Sequence, residues 1–208
     1  MRRVACSMNL EYIVDYAKAK ALGIMKYKIH ENFLPPDLFE KIKNLVMDQD
    51  FPWRRRDKLD WSEERFAQDH TVSNPELSTY KNIYFTYNFF NDMKSSSDFY
   101  EPYIIPILEK LKAGAPIQVR ANMFISNLFK TSGWHTDYFS EVHGGKETTA
   151  ILFLNDCDGG TEIKVDNKDI FIKAEANKIV VLDADVLHRA RTSKKEPIRY
   201  IVNFNYFK

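Results

Sequence analysis

Residues 147–165 read ETTAILFLNDCDGGTEIKV, and the fold turns on how this stretch is taken. Glu147–Asn155 is strand-like, Gly159-Gly160 punctuates it, and Thr161–Val165 is strand-like again. The same texture continues on both sides. Upstream lie Ile117–Ser126 and Trp134–Val142. Downstream lie Asp169–Lys173, Lys178–Asp183, Leu187–Thr192 and Ile198–Phe207. Gly144-Gly145, Asp166-Asn167 and Lys194-Lys195-Glu196-Pro197 separate them as turns. Eight short strands at near-regular spacing predict a sandwich, jelly roll or barrel.

Before residue 115 the pattern is mostly helical. Leu10, Ile13, Val14, Ala17 and Ala21 recur at helical spacing. Pro35-Pro36-Asp37 is a helix start, followed by Leu38, Ile42, Leu45 and Val46 on one face. A further helix is predicted from Phe99 to Leu111. Between them lie a Trp/Arg-rich stretch, Trp53 to Trp61, and an aromatic strand, Tyr80 to Phe90. The expected organisation is one domain over residues 1–208. Residues 1–115 form a helical N-terminal layer with extra strands, and 116–208 form the β core.

Composition narrows the function classes. Of 208 residues, 44% are hydrophobic and 28% charged, the balance of a globular chain rather than a disordered one. The net charge of +1 advertises no nucleic-acid or membrane partner. Two cysteines, Cys6 and Cys157, make no disulfide framework and suit a reducing compartment. Met1–Met25 has no apolar core of a secretory signal, and no run approaches the roughly 18 apolar residues of a membrane span. The expected location is the cytoplasm. Trp53-Arg54-Arg55-Arg56 with Trp61 has the makings of a stacking and phosphate-binding patch. Its charges are offset by Asp57, Asp60, Glu63 and Glu64, which favours a solvated loop.

The chemistry concentrates in His135-Thr136-Asp137. On a strand, residues i and i+2 share a face, so an imidazole and a carboxylate project together as two metal ligands. In an eight-stranded double-stranded helix the second and seventh strands are neighbours, which brings His188 beside the pair. Two histidines and one carboxylate form the facial triad of non-haem Fe(II) oxygenases, with coordination positions left open. His30, His70 and His143 have no carboxylate two residues on, and read as solvated or capping residues. A turn centred near Ser193/Lys194 would place Arg199 opposite His188 in a hairpin. A planar guanidinium beside a metal suits a dicarboxylate; the competing use is a rim ion pair with Glu196. Arg120, Asn122 and Phe124 alternate onto one face of the first core strand. Arg120 reads equally as a substrate contact or a partner of Asp137 or Asp185, and Asn122 as a cofactor contact or a structural hydrogen-bonding group. Thr149, Ile151 and Phe153 share a face of the third strand; Arg199, Ile201, Asn203 and Asn205 share one of the last.

With these residues in place, the chain resembles the Fe(II)- and 2-oxoglutarate-dependent dioxygenases. It is most similar to the prolyl-hydroxylase-like branch, including its phage-encoded members. His135-x-Asp137, His188 and Arg199 match the family's ligand and co-substrate positions in order. Asn32-Phe33-Leu34-Pro35 resembles the lead-in to its first helix. Thr149–Asn155 with Gly159-Gly160-Thr161 resembles the branch's third strand and Gly-Gly turn. The resemblance implies a mainly β fold: a double-stranded β-helix (jelly roll, cupin-like) core with N-terminal helices packed on one sheet. It implies an oxidoreductase that decarboxylates 2-oxoglutarate to succinate and CO2 while hydroxylating a prolyl or other amino-acid residue. Iron would be held by His135, Asp137 and His188, and 2-oxoglutarate by Arg199, Asn122 and Thr149. Arg120, Trp134 and Tyr138 would meet the substrate. O2 is the co-reactant, and the resemblance admits ascorbate as a stimulant.

The partners expected are the small-molecule co-substrate and a peptide or amino acid. For a phage-encoded member the cytoplasm would be the host cell's. The alternatives are a base demethylase or hydroxylase of the AlkB type acting on nucleic acid, and a jelly roll that binds ligand without oxidation. The chain departs from the family at Phe124 and Phe153, where relatives often carry tyrosine hydroxyls. It departs from the AlkB pattern at Ile201 and Asn205.

Overall fold

The computed structural model describes residues 26–56, 84–126, 131–137 and 147–208. The helix expected over Leu10–Ala21, together with Trp61, His70, Tyr138 and His143, lies outside the described residues. What is described is mainly antiparallel β-structure. In chain order the strands are β1 (Tyr27–His30), β2 (Arg54–Arg56), β3 (Tyr84–Asn91), β4 (Lys94–Ser95), β5 (Ala115–Ile125) and β6 (Glu147–Phe153). They continue with β7 (Gly160–Val165), β8 (Lys168–Lys173), β9 (Ile179–Asp183), β10 (His188–Arg191) and β11 (Ile198–Phe207). The larger sheet runs β1-β9-β6-β11-β5-β3-β2, with β4 on β3. The smaller runs β10-β7-β8. Strands from before residue 115 are thus built into the same sheet as the core strands.

Strand β6 explains the opening stretch of sequence. It lies between β9 and β11, and all seven of its residues are buried. A strand covered on both faces needs no polar alternation, hence the run of Thr, Ala, Ile, Leu and Phe. Its two faces feed two cores. Ala150 and Leu152 pack with Val119, Ala121, Val202 and Phe204 under the helices. Ile151 and Phe153 pack with Ile163, Ile172, Val180 and Ile201 between the sheets.

Helix α1 (Pro36–Met47) begins where the sequence predicts, with Pro36 in its first turn, where a missing N–H costs nothing. Its buried face is Phe39, Ile42 and Val46. Complete burial of a side chain such as Ile42 contributes about 1.5–3 kcal/mol. The carboxamide of Asn177 anchors the chain entering α1. It accepts from Leu34 N at 2.8 Å and donates to Leu34 O at 2.9 Å. The second predicted helix is split: Tyr100–Ile104 is a π-helical turn and α2 spans Ile105–Leu111. Pro106 has no N–H to give the carbonyl four residues back, so regular α-helix cannot run through the whole segment. Among the described residues, no helix is long and apolar enough to cross a membrane.

Two expectations are corrected. Strands β10 and β11 do not form a hairpin: β10 pairs with β7, whereas β11 pairs with β5 and β6. The segment between them crosses from one sheet to the other, so register arithmetic within one hairpin does not place Arg199. Arg54–Arg56, expected as a solvated loop, is an edge strand paired with Thr86, Phe85 and Tyr84.

Candidate metal centre and its cleft

His135 and His188 are brought together by the backbone. Each donates its N–H to the other's carbonyl, at 3.0 and 2.8 Å, as an isolated antiparallel bridge. The described part of the predicted strand Trp134–Val142 makes this single bridge, at His135, rather than a ladder. The neighbourhood of His135 and His188 is as predicted, and their ring centroids lie 4.3 Å apart. Asp137 completes the group. Its Oδ1 lies 3.5 Å from His135 Nε2 and 3.6 Å from His188 Nε2. One ligand atom from each of the three falls within 4.8 Å of the others.

The remaining atoms of these side chains are held from behind. His135 Nδ1 lies 3.1 Å from Gly133 O, and His188 Nδ1 lies 3.1 Å from Val186 O. A carbonyl can only accept, so each Nδ1 carries a proton, and each Nε2 is the atom turned to the centre, open to a metal once it has given up its own proton. Asp137 Oδ2 accepts from Asn203 Nδ2 at 2.8 Å, from Asn205 Nδ2 at 2.9 Å and from Thr149 Oγ1 at 3.4 Å. Oδ1 is thereby left facing the two imidazoles.

Electrostatics follows this geometry. Burial opposes the charge on Asp137. The opposing His188 charge and the hydrogen bonds from both histidines outweigh it, and the carboxyl lies well below its usual range. Burial also pulls His188 down, but the charge and hydrogen bond of Asp137 raise it on balance. His135 is lowered, by burial first and then by neighbouring His188.

The three groups open onto a cleft between the two sheets. Arg199 reaches it from the larger sheet, across from His188 on the smaller one, and is 1% exposed. Its Nη2 donates to Thr161 Oγ1 at 3.0 Å, while Nε and Nη1 are buried with no hydrogen-bond partner. The rings of Phe124 and Phe153 stand 5.2 and 5.5 Å from its guanidinium carbon. Burial lowers its pKa to about 10, which still leaves it a cation near neutral pH. Thr161 gives this guanidinium a hydroxyl acceptor, while Phe124 and Phe153 present only their rings to it. Tyr84, stacked on Phe124 at 5.8 Å, also lines the cleft.

Of the other predicted residues, Arg120 and Asn122 line the cleft. Thr149 stands behind Asp137 and outside the cleft lining. Trp134 is buried away from the lining, its ring covered by Lys164 at 4.7 Å and Arg189 at 4.3 Å. Tyr138 lies outside the described residues. Asn203 and Asn205 were visible as same-face neighbours of Arg199. Nothing local showed that they would grip Asp137, because that contact spans 66 and 68 residues.

No family model matches the chain, and no curated protein matches it. Solved structures do. One is a 2OG-Fe(II) oxygenase-family oxidoreductase from Burkholderia pseudomallei, 12% identical with a TM-score of 0.64, covering 100% of this chain and 93% of that one. Another is a prolyl-4-hydroxylase from Pseudomonas putida, 12% identical with a TM-score of 0.59, covering 92% and 97%. A third is a prolyl hydroxylase from Trichoplax adhaerens bound to a hypoxia-inducible-factor peptide fragment. It is 14% identical with a TM-score of 0.54, covering 98% and 94%. At such identities the likeness is one of architecture, and on that ground the chain has the fold of the 2-oxoglutarate/Fe(II) oxygenases.

Proposed function

We propose that the protein is an Fe(II)- and 2-oxoglutarate-dependent dioxygenase whose two facing sheets form a double-stranded β-helix. It hydroxylates a prolyl or other amino-acid residue, free or peptidyl, as 2-oxoglutarate is decarboxylated to succinate and CO2. One observation carries this reading. His135 Nε2, His188 Nε2 and Asp137 Oδ1 converge on a cleft into which a buried arginine, Arg199, brings two unpartnered N–H groups.

The donor set fits the metal. Two neutral imidazoles and one carboxylate on one side match a non-haem Fe(II) site with open positions. The orphaned Nε and Nη1 of Arg199 fit the far carboxylate of 2-oxoglutarate, since a buried guanidinium without an anion is costly. When bound, Fe(II) supplies O2 activation and electron transfer. The chain's own residues do the rest. His135 and His188 bind through Nε2, each oriented by a backbone carbonyl. Asp137 binds through Oδ1, with Oδ2 fixed by Asn203 and Asn205. Arg199 holds the co-substrate, and Thr161 fixes the guanidinium. Phe124, Phe153 and Ile201 line this end with apolar surface, which strengthens the ion pair by keeping water away.

The test is anaerobic addition of Fe(II) and then 2-oxoglutarate, following the visible metal-to-ligand charge-transfer band. The band is expected in the wild type and lost in His188→Ala. Arg199→Ala should need far more co-substrate to reach it. No band in the wild type would overturn the reading and leave a jelly-roll binding protein.

A further inference from the structure

The sheet face that carries Arg199 continues beyond the iron and 2-oxoglutarate positions, and it is cationic. Arg120 on β5 pairs with Asn203 on β11 and with Asn88 on β3, so the three share that face. Arg120 lines the cleft, and its Nε is buried with no hydrogen-bond partner. The Oδ1 atoms of Asn88 and Asn122 are likewise buried and unpartnered. Asn122, two residues along β5, is 4% exposed. The Nε–H of Arg120 calls for an acceptor and the asparagine oxygens for donors, so the arrangement is costly without a polar ligand.

The charge balance gives the sign of that ligand. Among the described residues, the acidic group lining the cleft is Asp137, and both its oxygens are engaged. Arg189, also in the lining, is neutralised by Glu162 at 2.5 Å. A divalent ion and a dicarboxylate cancel, Asp137 offsets Arg199, and the charge of Arg120 remains. Among the described residues, the face stays cationic toward the sheet edge. Thr86 lies beside Asn122, Arg54 beside Thr86, and Arg56 beside Tyr84. Arg56 Nε donates to Thr86 Oγ1 at 3.2 Å. Strand spacing puts β2 about 10 Å from β5.

Resting on the oxygenase reading for the word substrate, we propose that Arg120 anchors an oxyanion carried by the substrate, whose own donor groups meet the Oδ1 acceptors of Asn122 and Asn88. The oxyanion is a carboxylate or a phosphate, and Arg56 and Arg54 draw it in along β3 and β2. A planar guanidinium with a buried free N–H is built for charge-assisted hydrogen bonds to such a group. The substrate is therefore an acid, such as an amino acid with a free carboxylate or a phosphorylated compound, rather than a neutral internal peptide segment.

The test uses the full chain with Zn(II) and 2-oxoglutarate, and arginine Nε–H resonances as the readout. Arg120→Lys identifies the Arg120 signal, and Arg120→Gln serves where the lysine variant does not fold. Sodium phosphate and sodium acetate should each move the Arg120 signal to saturation, with sodium chloride at equal ionic strength moving it little. The source follows from two matched pairs, N-acetyl-L-proline against its carboxamide and thymidine 5′-phosphate against thymidine. In the pair that resembles the substrate, the charged member should bind at least about tenfold tighter. The exposed-edge variant Arg54→Gln/Arg56→Gln should narrow that ratio. An Arg120 signal that responds to phosphate and acetate no more than to chloride would overturn the proposal. The oxygenase reading is judged separately, by whether the Arg199 signal moves on addition of 2-oxoglutarate. Arg120 can be read whichever way that falls.

Discussion

The carboxamide nitrogen of Asn205 lies 2.9 Å from Oδ2 of Asp137, and Asn203 donates to the same oxygen at 2.8 Å. Two amide donors on one oxygen leave the other oxygen for the metal and fix the carboxylate plane. Asn205 also donates to Thr149 Oγ1 at 3.0 Å, so the three polar side chains hold one another. Removing Asn205 should not unfold the sheet, since its backbone pairing with Gln118 and Thr149 is independent of the side chain. It should loosen the ligand. Asn205→Ala is expected to weaken Co(II) or Mn(II) binding by about 10–100-fold. Unchanged affinity in a metal titration would mean that Asp137 is positioned by the backbone alone.

Arg199 is the second test of the cleft. Its charge alone is not what the geometry selects, because Nη2 is already committed to Thr161 and the free donors are Nε and Nη1. Lysine keeps the charge and loses the paired donors. Arg199→Lys should therefore raise the dissociation constant for 2-oxoglutarate by about tenfold to a hundredfold, the worth of one or two charge-assisted hydrogen bonds. Metal affinity measured without 2-oxoglutarate should hardly change. Equal weakening of both would point to a folding defect.

The histidines predict how metal binding depends on pH. The metal needs Asp137 ionised and both imidazoles neutral. Asp137 is ionised well below its usual range, and His135 is lowered, so neither limits binding above 6.5. His188 is raised above 6.5 by the charge of Asp137 acting against burial, so a proton competes for its Nε2 there. Mn(II) affinity should climb with pH above 6.5 with a logarithmic slope near one, then level off once His188 is neutral. In the metal-free protein the sign reverses for this group. The stability of the His188–Asp137 pair is fully present below 6.5 and is lost as pH rises through the raised value. A flat affinity profile across this window would contradict the pairing.

The site's legibility in the sequence divided along physical lines. His135 and Asp137 were readable because their relation is local, two residues apart. His188 was readable because the expected double-stranded β-helix makes its strand the neighbour of the one carrying His135, and the two residues do pair as a bridge. Arg199 was correctly placed at the cleft by a faulty route. Index arithmetic assumes that consecutive strands pair, and here the chain leaves the smaller sheet after Arg191 and enters the larger one at Ile198. The grip of Asn203 and Asn205 on Asp137 and the cleft-facing side of β2 were not readable, since both depend on which distant strand lies alongside. The place of Trp134 was not readable either, because the segment forms no ladder whose alternation could be counted. A single bridge at His135 keeps the ligand in place, and the buried tryptophan is then fixed by Lys164 and Arg189.

Asn177 separates stability from function. It has a left-handed backbone, φ 62°, and its carboxamide satisfies both main-chain groups of Leu34, far from the cleft. Asn177→Ala should cost about 1–3 kcal/mol from the two buried groups left unpaired, plus the loss of asparagine's tolerance of left-handed backbone. Asn177→Gly loses the same bonds but removes the Cβ from a left-handed backbone, so it should cost less. Urea midpoints measure both, and metal affinity should be unchanged in each. If the two variants unfold at the same midpoint as wild type, the clamp on α1 is not formed in solution.

Gly160 joins stability to the site. A Cβ there would run into the carbonyl of Ile172 and the ring of Phe171, and one at Gly159 would come within 2.7 Å of Ser193 N. Both obstacles include backbone, which cannot swing aside. Gly160 opens β7, paired to Lys173 on β8 and Arg191 on β10, and the next residue is Thr161, which holds Arg199. Gly160→Ala should therefore push β7 and β8 apart at a cost of at least about 1–3 kcal/mol. It should also displace the Thr161 hydroxyl from the guanidinium. The variant should show a lower urea midpoint and a weaker 2-oxoglutarate complex together, unlike Asn177→Ala. A change within about 0.5 kcal/mol of wild type, the range of an inert surface substitution, would mean that β7 and β8 do not approach so closely.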